Sequence, residues 1–165
     1  MLQSIITYKG DDLLTYEELQ STHADLLVIE MDLHNVKGLK GLYVDGCIAI
    51  EKALTNIEKG CILAEEVGHH FATVGDILDQ KIAANRKQEH KARMIAYNLQ
   101  VSLSGIIESY EAGCTSLYMT ADYLDVTEAF LREAIENYRM KYGLCTKFDE
   151  YLIYFEPSLG VMKLF

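Results

Sequence analysis

Proline is almost missing from the 165 residues, with Pro157 alone, while half of the residues are hydrophobic, and this excludes a low-complexity or disordered chain. The four cysteines, Cys47, Cys61, Cys114 and Cys145, form no C-x-x-C pair. A zinc ribbon and a dithiol redox motif are thereby excluded, and free buried thiols in a reducing compartment are expected. No apolar run approaches the roughly 18 residues of a membrane span. The segment from Met1 to Lys9 lacks the basic start and long apolar stretch of a signal peptide, so a cytoplasmic location without membrane contact is expected. Positive charge is in deficit: 15 basic against 25 acidic side chains give a net charge of −10. That field repels nucleic acid and anionic lipid, so direct nucleic-acid binding is a poor candidate function. Internal repeats and linkers are also missing.

A chain of this length can bury roughly 70% of its unfolded surface, enough for one domain without disulfides. Residues 1–165 are therefore read as a single domain, with a core over about 12–143 and a terminal hairpin over about 146–165. Thr15-Tyr16-Glu17-Glu18 has the capping-box form and opens a short helix to about Ala24. Leu26 to Leu33 reads as a strand. Gly41-Leu42-Tyr43-Val44 and Cys47-Ile48-Ala49-Ile50 flank Asp45-Gly46, which suits a type I′ hairpin turn. A second capping box, Thr55-Asn56-Ile57-Glu58, opens a helix that runs through Phe71 and stops before a cap at Gly75. Helices are expected over 84–99, 105–112, 116–124 and 127–142. The alternation of Tyr151, Ile153 and Phe155, with a return through Val161 and Leu164, gives the terminal hairpin. Strands followed by helices imply an α+β fold, a small antiparallel sheet packed against a helical bundle.

Chemistry-bearing residues gather between Glu65 and His90. On a helix, Glu65 and His69 are i and i+4, so one face offers a carboxylate and an imidazole to a single ion. Glu66 lies beside that ion, where a carboxylate can take a proton from water held there. The H-E-x-x-H form of this device has His at its first position; here Glu65 occupies it. Glu89 is the expected third ligand, because Ala92 and Ala96 share its side of the next helix and an unpaired carboxylate there costs several kcal/mol. His70 has two readings: a hydrogen-bond partner behind a ligand, or a ligand itself in a frame shifted by one, paired with Glu66. Asp76 could orient a ligand or simply begin a turn. His90 points about 100° away from Glu89 and is read as a surface group or as a hydrogen-bond partner behind a ligand. The helices over 116–124 and 127–142 have the outline of a helix-turn-helix, but Glu128, Glu133 and Glu136 leave the second without a basic face.

Three segments, Lys40 to Gly46, Cys61 to His70 and Arg86 to Ala92, resemble the ImmA/IrrE-type metallo-endopeptidases, in particular short forms from prophage and phage lysogeny regions. The resemblance spans about Thr15 to Gly143. It implies a zincin-like fold and a zinc-dependent cut in a neighbouring helix-turn-helix repressor. It also implies Glu66 as general base, His69 as a metal ligand and Glu89 as the downstream acidic ligand. Two carboxylates beside one imidazole make a harder site than the usual one, at which manganese can share the position with zinc. The alternative is a repressor-binding regulatory protein without catalysis, its metal site decayed or structural, a role that Glu65 in place of His favours.

Overall fold

The structure, a computed structural model, describes residues 14–36, 38–74 and 82–165. Thr15 caps helix α1 (Tyr16–Thr22): its hydroxyl accepts from Glu18 N, and the Glu18 carboxylate accepts from Thr15 N. Strand β1 (Leu27–Met31) follows, then β2 (Gly41–Val44) and β3 (Cys47–Glu51). Asp45 at φ 48° and Gly46 at φ 83° make the tight turn between β2 and β3, the positive angles that this dipeptide tolerates. β2 pairs antiparallel with β3, whereas β1 pairs parallel with the other edge of β3, in the order β1-β3-β2. The first sheet is therefore mixed, which corrects the expectation of a purely antiparallel one. The reason is topological: β1 reaches β3 only after the β2 hairpin has reversed the chain.

Helix α2 (Asn56–Val74) carries the predicted metal motif and packs on this sheet beneath Ile48 and Ile50, both fully buried. Its start is the second capping box, with Thr55 N donating to the Glu58 carboxylate at 2.9 Å and Glu58 N to the Thr55 hydroxyl at 3.3 Å. Buried Lys59 reaches across to Glu30 of β1 at 2.7 Å and anchors the helix to the sheet. The expected cap at Gly75 and the residue Asp76 lie outside the described residues.

Helix α3 (Ile82–Gln100) lies against α2, and one position explains how closely. A Cβ on Gly68 would stand 2.2 Å from the Ala92 carbonyl oxygen. The two backbones therefore meet directly, with Ala92 and Ala96 buried along the seam. Helices α4 (Leu103–Glu111), α5 (Leu117–Tyr123) and α6 (Glu128–Tyr142) complete the bundle. The fully buried Tyr138 fixes α6 to α3, its hydroxyl 3.1 Å from Asn98 Oδ1 and 2.7 Å from the Val101 carbonyl.

The C-terminal hairpin proves to be part of a three-stranded antiparallel sheet, β4 (Cys145–Phe148), β5 (Tyr151–Tyr154) and β6 (Gly160–Lys163), with β5 central. β4 was not expected because Cys-Thr-Lys-Phe is too short and mixed to show alternation. The four cysteines are free, as expected, but of them only Cys61 is buried. Among the described residues no helix is long and apolar enough to cross a membrane.

Candidate metal centre

The site forms where α2, α3 and β2 converge. His69 on α2 and Glu89 on α3 approach to 3.9 Å, Nε2 to Oε2, both side chains being partly exposed. The Gly68 contact with Ala92 causes this meeting, since those residues flank the pair on the two helices. Arg93, one turn beyond Glu89, donates through Nε to Glu89 Oε1 at 3.1 Å. The partner demanded by a carboxylate on this stripe is thus supplied in part by the helix itself.

Glu65 and Glu66 are both largely withdrawn from water. Burial, then the nearby Glu133, raise the Glu65 carboxyl above the usual range, while Arg93 and Lys40 pull it down. Burial followed by repulsion from Glu65 pushes Glu66 up to about 7, against the lowering effect of a hydrogen bond from the Tyr43 main-chain N–H. Glu66 sits under the edge strand with no room to spare. A Cβ on Gly41 would stand 2.7 Å from Glu66 Oε1 and 2.5 Å from Ile62 Cγ2. β2 therefore serves as a shelf that both excludes alternatives for Glu66 and supplies it with a donor.

His70 turns to the same strand. The Tyr43 hydroxyl lies 2.8 Å from His70 Nδ1, and the two rings meet edge-on at 5.3 Å. Tyr43 thus contacts Glu66 through its backbone and His70 through its side chain. Tyr97, the other tyrosine near the site, is 1% exposed and directs its hydroxyl to Glu133 Oε2 at 3.2 Å, so it does not face the solvent side of the centre. His90 is exposed on the surface of α3.

Repulsion from Glu89 bears on both Glu65 and Glu66, with Arg93 and Lys40 as the cations that Glu65 feels, but of the expected ligands only His69 and Glu89 meet directly, and no three of Glu65, Glu66, His69 and Glu89 bring ligand atoms within 4.8 Å of one another. This excess of negative charge at partly dehydrated oxygens is the environment a divalent cation relieves, and the donors fit one chemically. The 3.9 Å separation of His69 and Glu89 exceeds the edge of about 3.3 Å of a tetrahedral zinc site with bonds near 2.0 to 2.1 Å.

Among the described residues, the one group of three whose ligand atoms all lie within 4.8 Å of one another is elsewhere: Asp32, His34 and Glu51 at the end of β1 and β3. Its geometry has a local cause. Glu51, buried, accepts from Leu33 N at 2.7 Å and Ala53 N at 2.9 Å, and Asp32 accepts from His34 N at 3.0 Å. These oxygens close the loop after β1 and the turn after β3 by satisfying their backbone donors.

Glu133 of α6 is a neighbour of the site that the sequence pattern does not single out. It looks like one more acid on a charged helix, and only the docking of α6 against α3 brings it near Glu65. The Tyr43 N–H is equally hidden from sequence, because a main-chain donor carries no residue signature.

No curated protein and no solved structure matches the chain. The family model of the IrrE N-terminal-like domain, a peptidase family, matches residues 22–136, from the end of α1 into α6. That stretch contains the first sheet, the α2–α3 seam and Glu133. The chain belongs to the IrrE N-terminal-like domain family, with its zincin-like α+β fold.

Proposed function

We propose that this protein is a metal-dependent endopeptidase, with Glu66 as general base and Glu65, His69 and Glu89 as the residues that hold the ion. The observation that carries the proposal is the setting of Glu66. It is held between Gly41 and the Tyr43 N–H of an edge strand, one helical turn from the site where His69 and Glu89 of different helices meet. A divalent ion, zinc or manganese, supplies Lewis-acid polarisation of a peptide carbonyl and a lower pKa for water.

The chain's own residues do the rest. Glu66 takes the proton of the attacking water as its oxygen bonds to the carbonyl carbon, and returns it to the amine as the C–N bond breaks. Tyr43 fixes the carboxylate through its N–H, so that no rotamer search precedes proton transfer. The side chain of Tyr43, bonded to His70, keeps the strand in register with α2.

The proposed substrate is a helix-turn-helix repressor of a phage or mobile-element lysogeny switch, cut in the cytoplasm. The test is cleavage of the repressor encoded beside this protein, with added zinc or manganese, by wild type and Glu66→Gln. Glu66→Gln is expected to retain metal and lose cleavage; undiminished cleavage removes Glu66 from its role. Metal content measured after purification without chelator should fall in both His69→Ala and Glu89→Ala.

One observation favours a second role, regulatory binding without proteolysis: Glu65 stands where an imidazole ligand is usual. A stable complex with the repressor, uncut in either metal, would establish it.

A further inference from the structure

Strand β1 is amphipathic in the inverted sense. It turns Glu30 toward α2, where Lys59 holds the carboxylate at 2.7 Å, and turns Leu27, Ile29 and Met31 away from the core, 60%, 41% and 45% exposed. β2 does the same beyond β3, with Leu42 43% and Val44 53% exposed.

Register puts these side chains on one face. Leu27 and Val44 both pair with Cys47, and Ile29 and Leu42 both pair with Ala49. Ile48 and Ile50, of opposite parity, are buried on the side where α2 packs. The outer face is therefore a trough. Its floor is Cys47 and Ala49, and a ridge of large apolar side chains stands on either side, the ridges roughly 10 Å apart at two strand spacings. None of these residues is Asp, Glu, Lys, Arg or His.

At these exposures the five large side chains leave roughly 450 Å2 of surface, a patch of the size that monomers keep for function. A standard interface buries about 800 Å2 of each partner, a little over half of it apolar, which is about the same quantity. A second copy brings a matching patch of its own, since a two-fold contact sets the same surface on both partners. The ridges of one copy can enter the trough of the other, as the inner faces of packed sheets interdigitate. Two chains of charge −10 also meet here without bringing carboxylates together. We propose that the outer face of the first sheet is a dimer interface between two copies of this chain, with Ile29, Leu42 and Val44 at its centre. α2 and the candidate metal centre lie on the opposite side of the sheet, so the dimer leaves both centres open.

The test is sedimentation velocity of the full chain from about 1 to 200 µM, where a modest interface of this size associates. Wild type is expected to pass from monomer to dimer within that range. Ile29→Lys and Leu42→Lys each set an ammonium from both copies into the contact and are expected to raise the dissociation constant by about a hundredfold or more. Both side chains are exposed in the monomer, so circular dichroism of the dilute variants should match wild type. Tyr118→Lys, on the exposed surface of α5, is the control and is expected to dimerise as wild type does. A second measurement needs no variant: alkylation of the free Cys47 in the trough should slow by about fivefold or more between the dilute and the concentrated ends. Wild type that stays monomeric throughout overturns the proposal, whatever other chain or segment takes the face. A dimer that survives both lysine variants, or alkylation of Cys47 at one rate across the range, overturns it too, because another surface then joins the copies.

Discussion

Replacing Glu66 by Gln should make the metal-free protein more stable above neutral pH and leave it nearly unchanged in acid. Burial first, then repulsion from Glu65, raise this carboxyl from its usual 4.5 to about 7. A folded-state pKa above the unfolded one means that the folded protein binds the extra proton between those values. Stability therefore falls as pH rises through that window, and the full penalty applies above it. At about 1.36 kcal/mol per unit, the shift corresponds to roughly 3 kcal/mol. The side chain keeps partial contact with water, so screening cuts this to about 1 to 2 kcal/mol. Gln keeps an oxygen to accept from the Tyr43 N–H, so the substitution removes charge and little else. For a chain of this size the gain amounts to roughly 2 to 8 °C in melting temperature. Thermal melts followed by circular dichroism in chelator, at about pH 4, 6 and 8, read it directly. A variant no more stable than wild type at pH 8, or one stabilised equally at pH 4, would refute the electrostatic account of Glu66.

Gly68→Ala should cost about 2 kcal/mol or more, because the new methyl must displace the Ala92 backbone, and chemical denaturation measures the loss. Thr55→Ala should cost about 1 kcal/mol through loss of the α2 cap, read in the same way. Hydrogen bonds from Thr55 hold the Glu58 carboxyl below the usual range, so its contribution is present above the unfolded pKa and is lost as pH falls through the folded one; Glu58→Gln should flatten the acid limb of a stability–pH curve. Glu65→His, which recreates the histidine–glutamate pattern, should tighten zinc binding by about tenfold or more, and equilibrium dialysis against zinc tests it.

Much of this architecture is legible in the sequence because its local signals are strong. Both capping boxes form as written, and Asp45-Gly46 turns the hairpin at the positive angles its residues allow. Helix periodicity places α2 through α6 within a few residues. The parallel partnership of β1 with β3 is not legible, since it depends on a crossing of the chain that no window of residues encodes. Nor does alternation in β1 tell inside from outside: Leu27, Ile29 and Met31 are all exposed, and Leu33 beyond the strand is buried. In the site, the helical spacing of Glu65, Glu66 and His69 is readable, and the small residues around Ala92 do mark the seam that brings Glu89 to His69. Glu133 and the Tyr43 N–H are not readable, because tertiary docking alone gives them meaning.

The backbone-to-backbone crossing at Gly68 and Ala92 makes adjustment at the centre one-sided. Main chains already in contact cannot draw nearer, so the helices are free only to part. A small ion that needs its donors closer than His69 and Glu89 now stand must obtain that closure from side-chain torsions. If the proposed ion is held there, a larger one would be admitted by a slight opening of the seam, so the main chain as well as the donors would bear on ionic radius.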